Sequence, residues 1–146
     1  MTPLLFSFFM ATAFANIDAK IEYQRARVRL APPGKKVTAA FLTLKNKSTE
    51  DVFLVSASSS IANKVELHVH DIDDNGVMSM REVSKMKLPA KGELVLKPKS
   101  NHLMLFGLKQ ELKEGQQVSF ELKFSDGKSE TVSFRVEDIR KHKHHH

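Results

Sequence analysis

Between Ile21 and Val136 the apolar residues recur at every second position, in short runs broken by turn residues, and no long stretch carries a helical period. Ala40, Leu42 and Leu44 form one such set and Val65, Leu67 and Val69 a second. Val118, Phe120, Leu122 and Phe124 form a third, and Val132, Phe134 and Val136 a fourth. Successive side chains of an extended chain point to opposite sides, so each set marks the buried face of one strand. Pro32-Pro33-Gly34, Asp73-Asp74-Asn75-Gly76, Ala90-Lys91-Gly92 and Ser125-Asp126-Gly127-Lys128 separate the runs, and the last, with alternation on both sides, predicts a hairpin. Strands at this spacing predict an all-β, antiparallel sandwich. The chain has no cysteine, so no disulfide supports it and the apolar core must hold the fold.

The first fifteen residues are an apolar run ending in Ala13-Phe14-Ala15, which reads as a signal peptide cleaved before Asn16. The run is too short to span a bilayer, and polar chain follows at once, so an exported, soluble protein without membrane insertion is expected. What remains suits one domain, expected over 16–138, with a biased tail over 139–146. The net charge of +6 lies wholly beyond residue 15. Nucleic acid is not the expected partner, because the lysines are scattered and one tyrosine with no tryptophan offers no stacking platform. The basic surface is read as solvated, with docking to an acidic partner as its possible use.

The soft ligands are clustered. Beyond residue 15 there are four methionines, and Met78, Met80 and Met104 fall in two short segments with His102, while His68 and His70 lie close by. In Lys64-Val65-Glu66-Leu67-His68-Val69-His70 the valines and leucine take the core face, which leaves Glu66, His68 and His70 on the other. The same alternation puts His102, Met104 and Phe106 opposite Leu103 and Leu105, and would put Met78 and Met80 on one face of an extended segment. Met86, alone among lysines, is expected to be core filler. Three segments thus offer donors to one small site if the fold brings them together.

The donor types narrow the metal. Thioether sulfur is soft and neutral, which suits Cu(I) and offers little to Zn(II), Mg(II) or Ca(II). Two imidazoles and two thioethers bring no negative charge, so the single charge of Cu(I) is accommodated at less cost than the double charge of Cu(II).

Met80, the 21 residues 81–101, and then His102-Leu103-Met104 match the second part of the signature of the periplasmic copper chaperones called PCuAC. Val65-Glu66-Leu67-His68, Gly76-Val77-Met78-Ser79-Met80-Arg81-Glu82-Val83, Leu88-Pro89-Ala90 and His102-Leu103-Met104-Leu105-Phe106-Gly107-Leu108 look like family text too, so the chain resembles that family over residues 20 to 136. The resemblance implies a cupredoxin-like Greek-key β-sandwich. It also implies a periplasmic, monomeric chaperone that binds one Cu(I) near its surface through His68, Met80, His102 and Met104. The recipient it implies is a copper-accepting protein, either a cytochrome c oxidase subunit or another periplasmic copper chaperone. His70 departs from the family pattern and stands as a spare ligand, an exchange partner or a neighbour.

Some members of that family carry His- or Met-rich C-terminal extensions that bind Cu(II), and His142, His144, His145 and His146 would serve in that way here. The competing source of these histidines is a partial purification tag, against which the interspersed Lys141 and Lys143 argue. An enzyme is not expected, because no Ser-His-Asp or paired-carboxylate arrangement stands out. The rival to a copper chaperone is an immunoglobulin-like adhesion or assembly module whose histidines and methionines are incidental.

Overall fold

The computed structural model describes residues 20–140; the expected signal peptide and the tail histidines lie outside the described residues. The described residues form ten strands: β1 (Ile21–Arg29), β2 (Val37–Asn46), β3 (Val52–Ser59), β4 (Ala62–Ile72) and β5 (Met78–Val83), then β6 (Met86–Leu88), β7 (Glu93–Leu96), β8 (His102–Leu108), β9 (Gln117–Phe124) and β10 (Ser129–Glu137). The four alternating sets occupy β2, β4, β9 and β10. Each places its apolar residues in or against one core, with Leu42, Leu44, Phe120, Leu122, Phe134 and Val136 fully buried. The expected hairpin joins β9 to β10, closed by Gly127 N–H donating to Phe124 O at 3.0 Å. Phe120 and Phe134 then face each other across that pair, with ring centroids 4.2 Å apart, a contact worth about 0.5–1.5 kcal/mol beyond its buried area.

Hydrogen bonds link the strands in the order β5-β4-β8-β2-β1-β10-β9-β3-β6, with β7 also on β2. β2 takes two partners along its length: Val37–Ala40 pairs with β8, and Leu42–Lys45 pairs with β7. One seam departs from the antiparallel expectation, since β1 runs parallel to β10 with Val28 beside Val136. Alternation assigns a strand's buried face but carries no information on its direction. Parallel neighbours need a long crossover, and here the whole intervening domain supplies it.

Met86 is buried in the core, as its sequence setting predicts. Gly107 meets a backbone demand within β8: its φ is +68°, and a β-carbon there would fall 2.9 Å from Asn63 Cβ on the neighbouring β4. Only glycine takes this conformation at that distance without strain.

Candidate metal centre

β5, β4, β8 and β2 lie side by side, and antiparallel register decides what meets on their outer face. His68 on β4 is directly across from His102 on β8, and Glu66 from Met104. Met104 is in turn across from Ala39 on β2. On the other side of β4, His70 is across from Met80 of β5. Directly opposed residues share a face, so all these side chains project from the surface that the core does not use. His70, Met80, His102 and Met104 line one cup of about 230 Å³, together with Phe41 and Arg29. His68 flanks the cup rather than lining it, its ring centroid 5.6 Å from that of His102. Met78 is across from Ile72 at the outer end of the hairpin, exposed and outside the cup.

Donors are graded by depth. His102 forms the floor at 4% exposure, Met104 is half-buried, and Met80 stands at the mouth with 51% of its surface exposed. Beneath the floor are Ala39 and Phe41, which are buried although they point away from the main core. Phe41 packs edge-on to His102 at 6.4 Å and carries the guanidinium groups of Arg27 and Arg29 over its ring at 5.4 and 5.5 Å. Phe106 borders His68 at 6.0 Å, under the Lys64 ammonium. Aromatic walls of this kind limit water and leave the imidazole nitrogens in a less polar setting.

The hydrogen bonds settle which nitrogens are free. Nδ1 of His102 lies 2.8 Å from the carbonyl of Ser100, which can only accept, so Nδ1 carries the proton and Nε2 of the neutral ring carries a lone pair. The turn that presents this carbonyl holds Lys99 at φ +63°. Nε2 of His68 likewise donates to Glu66 at 2.7 Å. Lys64, 2.7 Å from the same carboxyl group, and the His68 bond together hold Glu66 below the usual carboxylate range. When the His68 ring is neutral, its lone pair is therefore on Nδ1. Nδ1 of His68, Nδ1 of His70 and Nε2 of His102 are all buried with no hydrogen-bond partner.

Three such orphans on one face stand out against the rest of the interior. Thr38 donates to Arg29 O at 2.7 Å, and Asn46 donates to Glu50 O and Leu88 O and accepts from Ser48, so these buried polar groups are matched. Buried polar atoms without partners are costly unless a ligand satisfies them. Burial also holds the His102 imidazole below its ordinary pKa; the Ser100 bond opposes this, and the neighbouring His68, His70 and Arg29 reinforce it. The ring is thus kept neutral, the form that binds metal.

Among the described residues no three His, Asp or Glu side chains form a metal site by themselves. The sulfur atoms that the cup adds to its imidazoles are those of Met80 and Met104. Neutral nitrogen and thioether sulfur suit a soft, low-charge metal ion, and a carboxylate or carbonyl held by the far ring nitrogen is the kind of partner that orients a histidine able to bind one.

Sequence reading placed Glu66 on this face without a role, and passed over Phe41, Arg29 and Ser100. Phe41 had a legible signal, an aromatic residue out of phase with the buried set Ala40, Leu42 and Leu44. The Ser100 contact is made by backbone, and no residue type announces it.

A family model described as "Putative lipoprotein LpqE-like" matches residues 21–136. A protein of Leifsonia xyli subsp. xyli (strain CTCB07), described as "Putative lipoprotein Lxx21020", is 38% identical over 120 residues, covering 82% of this chain and 70% of its own length. The solution structure of CuI-DR1885 from Deinococcus radiodurans is 33% identical and superposes with a TM-score of 0.66, covering 84% of each chain. The copper-bound PCuAC domain from PmoF2 superposes at 0.69 over 81% of this chain and 92% of its own, at 17% identity, a likeness of fold. The cupredoxin-like architecture implied by the PCuAC resemblance is thereby found.

Proposed function

The chain belongs to the LpqE-like family, and from that premise we propose that it is an exported copper chaperone of the cell envelope, binding Cu(I) in the cup formed by β5, β4, β8 and β2. The observation that carries this reading is the set of three buried, unpartnered imidazole nitrogens beside two thioethers. A relative one-third identical to this chain has been solved as its Cu(I) form, and lipoprotein relatives agree with export. His68, Met80, His102 and Met104 are the proposed ligands, with Glu66 and Ser100 orienting the two rings. The cargo sits near the surface, where ligands can be exchanged one at a time with a recipient. Delivery to a cytochrome c oxidase subunit, or to another envelope copper chaperone, is the proposed use. Residues 1–15 are proposed as its signal peptide. The tail histidines, lying outside the described residues, are proposed as a second binding site that takes Cu(II).

An anaerobic titration of Cu(I) against a coloured competing chelator tests the central claim. The parent chain should take up one equivalent in the core beyond whatever the tail holds. Met80→Leu combined with Met104→Leu should abolish that equivalent while the sandwich stays folded by circular dichroism. Equal uptake by both proteins sinks the proposal and favours an adhesion module with incidental methionines.

A further inference from the structure

This inference rests on the copper reading above and concerns a residue outside the four proposed ligands. We propose that His70 is itself a copper ligand, lining the cup across from Met80 and sharing His102 with His68, so that the ion is met by two interchangeable imidazole pairs.

Three observations converge on His70. Its Nδ1 is buried with no hydrogen-bond partner, the same condition as the free nitrogens of His68 and His102. Its ring centroid is 5.6 Å from that of His102, equal to the separation of His68 from His102. With a metal–nitrogen bond of about 2.0–2.1 Å and about 1.1 Å more to the ring centre, two imidazoles on one ion have centroids at most about 6.4 Å apart. Both pairs therefore lie within the reach of a single ion. Lastly, His70 lines the cup directly across from Met80, whereas His68 stands beside it with Nε2 tied to Glu66.

Depth orders these groups into a path. An ion arriving from solvent meets the exposed Met80 at the mouth, with His70 across from it on the next strand, then the half-buried Met104 and His102 at the floor, with His68 alongside. Because His102 belongs to both imidazole pairs, the ion can pass from His68 to His70 while His102 and a thioether stay bound. Such a step needs no oxidant or reductant. It brings the ion onto the residue across from the exposed Met80, where a recipient's ligand can replace His70.

The test uses the full chain with His142, His144, His145 and His146 replaced by alanine, so that only the cup reports. Cu(I) affinity is measured by chelator competition for this background and for His68→Ala, His70→Ala and the double variant, and imidazole nitrogen shifts of the background protein are recorded by NMR with and without Cu(I). Each single change should weaken binding by about tenfold or more, at least the loss that outer-shell changes produce. The double change should remove binding, and Nδ1 of His70 should shift with Cu(I). Unchanged affinity in His70→Ala, or an unmoved His70 Nδ1 in a background protein that binds Cu(I), overturns the proposal while leaving the copper reading intact. Failure of the background protein itself to bind Cu(I) overturns the copper reading instead. The NMR arm decides the matter even if a substituted chain does not fold.

Discussion

Glu66 and His68, two residues apart on β4, are joined by a 2.7 Å bond from Nε2 to the carboxylate, which turns the lone pair of His68 onto the buried Nδ1. The pair links a local feature of one strand to the chemistry of a site assembled from four.

Glu66 is not a proposed ligand, yet its loss should be felt at the metal. Glu66→Ala is expected to weaken Cu(I) binding about 10–100-fold by releasing the His68 ring, with Glu66→Gln intermediate. Chelator competition measures it, and an affinity equal to that of the parent chain would show that His68 needs no anchor.

Acid should destabilise the apo protein through His102. Its folded pKa is depressed by burial, below the unfolded value of about 6.5. The stabilising contribution is therefore complete above about pH 6.5 and is lost as pH falls from there through the folded pKa, because the unfolded chain takes up the proton first. Urea midpoints between pH 7.5 and 5 should fall more steeply for the parent chain than for His102→Leu. Parallel curves would assign the acid sensitivity elsewhere.

Copper retention should separate the two proposed sites by pH. Tail histidines, if they titrate near 6.5, release metal as the medium approaches that value. The cup should hold its ion to lower pH, since thioethers do not titrate and burial keeps His102 neutral. Equilibrium dialysis of the parent chain against a chain with the four tail histidines replaced would reveal one shared release curve if this is wrong.

Gly107→Ala should cost about 2 kcal/mol or more, combining a left-handed backbone with a collision against Asn63. Since β8 carries His102 and Met104, Cu(I) affinity should fall with stability. Adding Asn63→Gly should recover the part due to collision, as read from urea unfolding; no recovery would place the whole cost in the backbone.

Phe41→Ala should cost about 3–5 kcal/mol, the usual range for deleting a buried phenyl group, although Phe41 lies outside the main core. Loss of the floor under His102 should also weaken metal binding more than a core deletion of similar cost, such as Leu122→Ala. Equal losses of affinity in the two variants would deny Phe41 any part in the site.

Much of this molecule was legible before folding because strand alternation is a local property. Leu42, Val65, Phe120 and Phe134 declared their buried faces through their neighbours two positions away. By the same rule His68, His70, His102 and Met104 were excluded from the core. Alternation puts Met78 and Met80 on one face of an extended segment without saying which, and only Met80 reaches the cup. The spacing of Met80, His102 and Met104 also carried the family resemblance, and the matched family and fold agree with it.

The sequence by itself determined the strand faces, the absence of thiolate from the donor set and the preference of that set for a soft, low-charge ion, because each follows from residue type and period two. Tertiary structure alone decided that His70 rather than His68 lines the cup, that Ser100 and Glu66 orient the rings, that Phe41 underlies them, and that β1 runs parallel to β10. The physical reason is register. Which residues meet across β5, β4, β8 and β2 depends on how distant strands pair, and that pairing is chosen by the packing of the whole core.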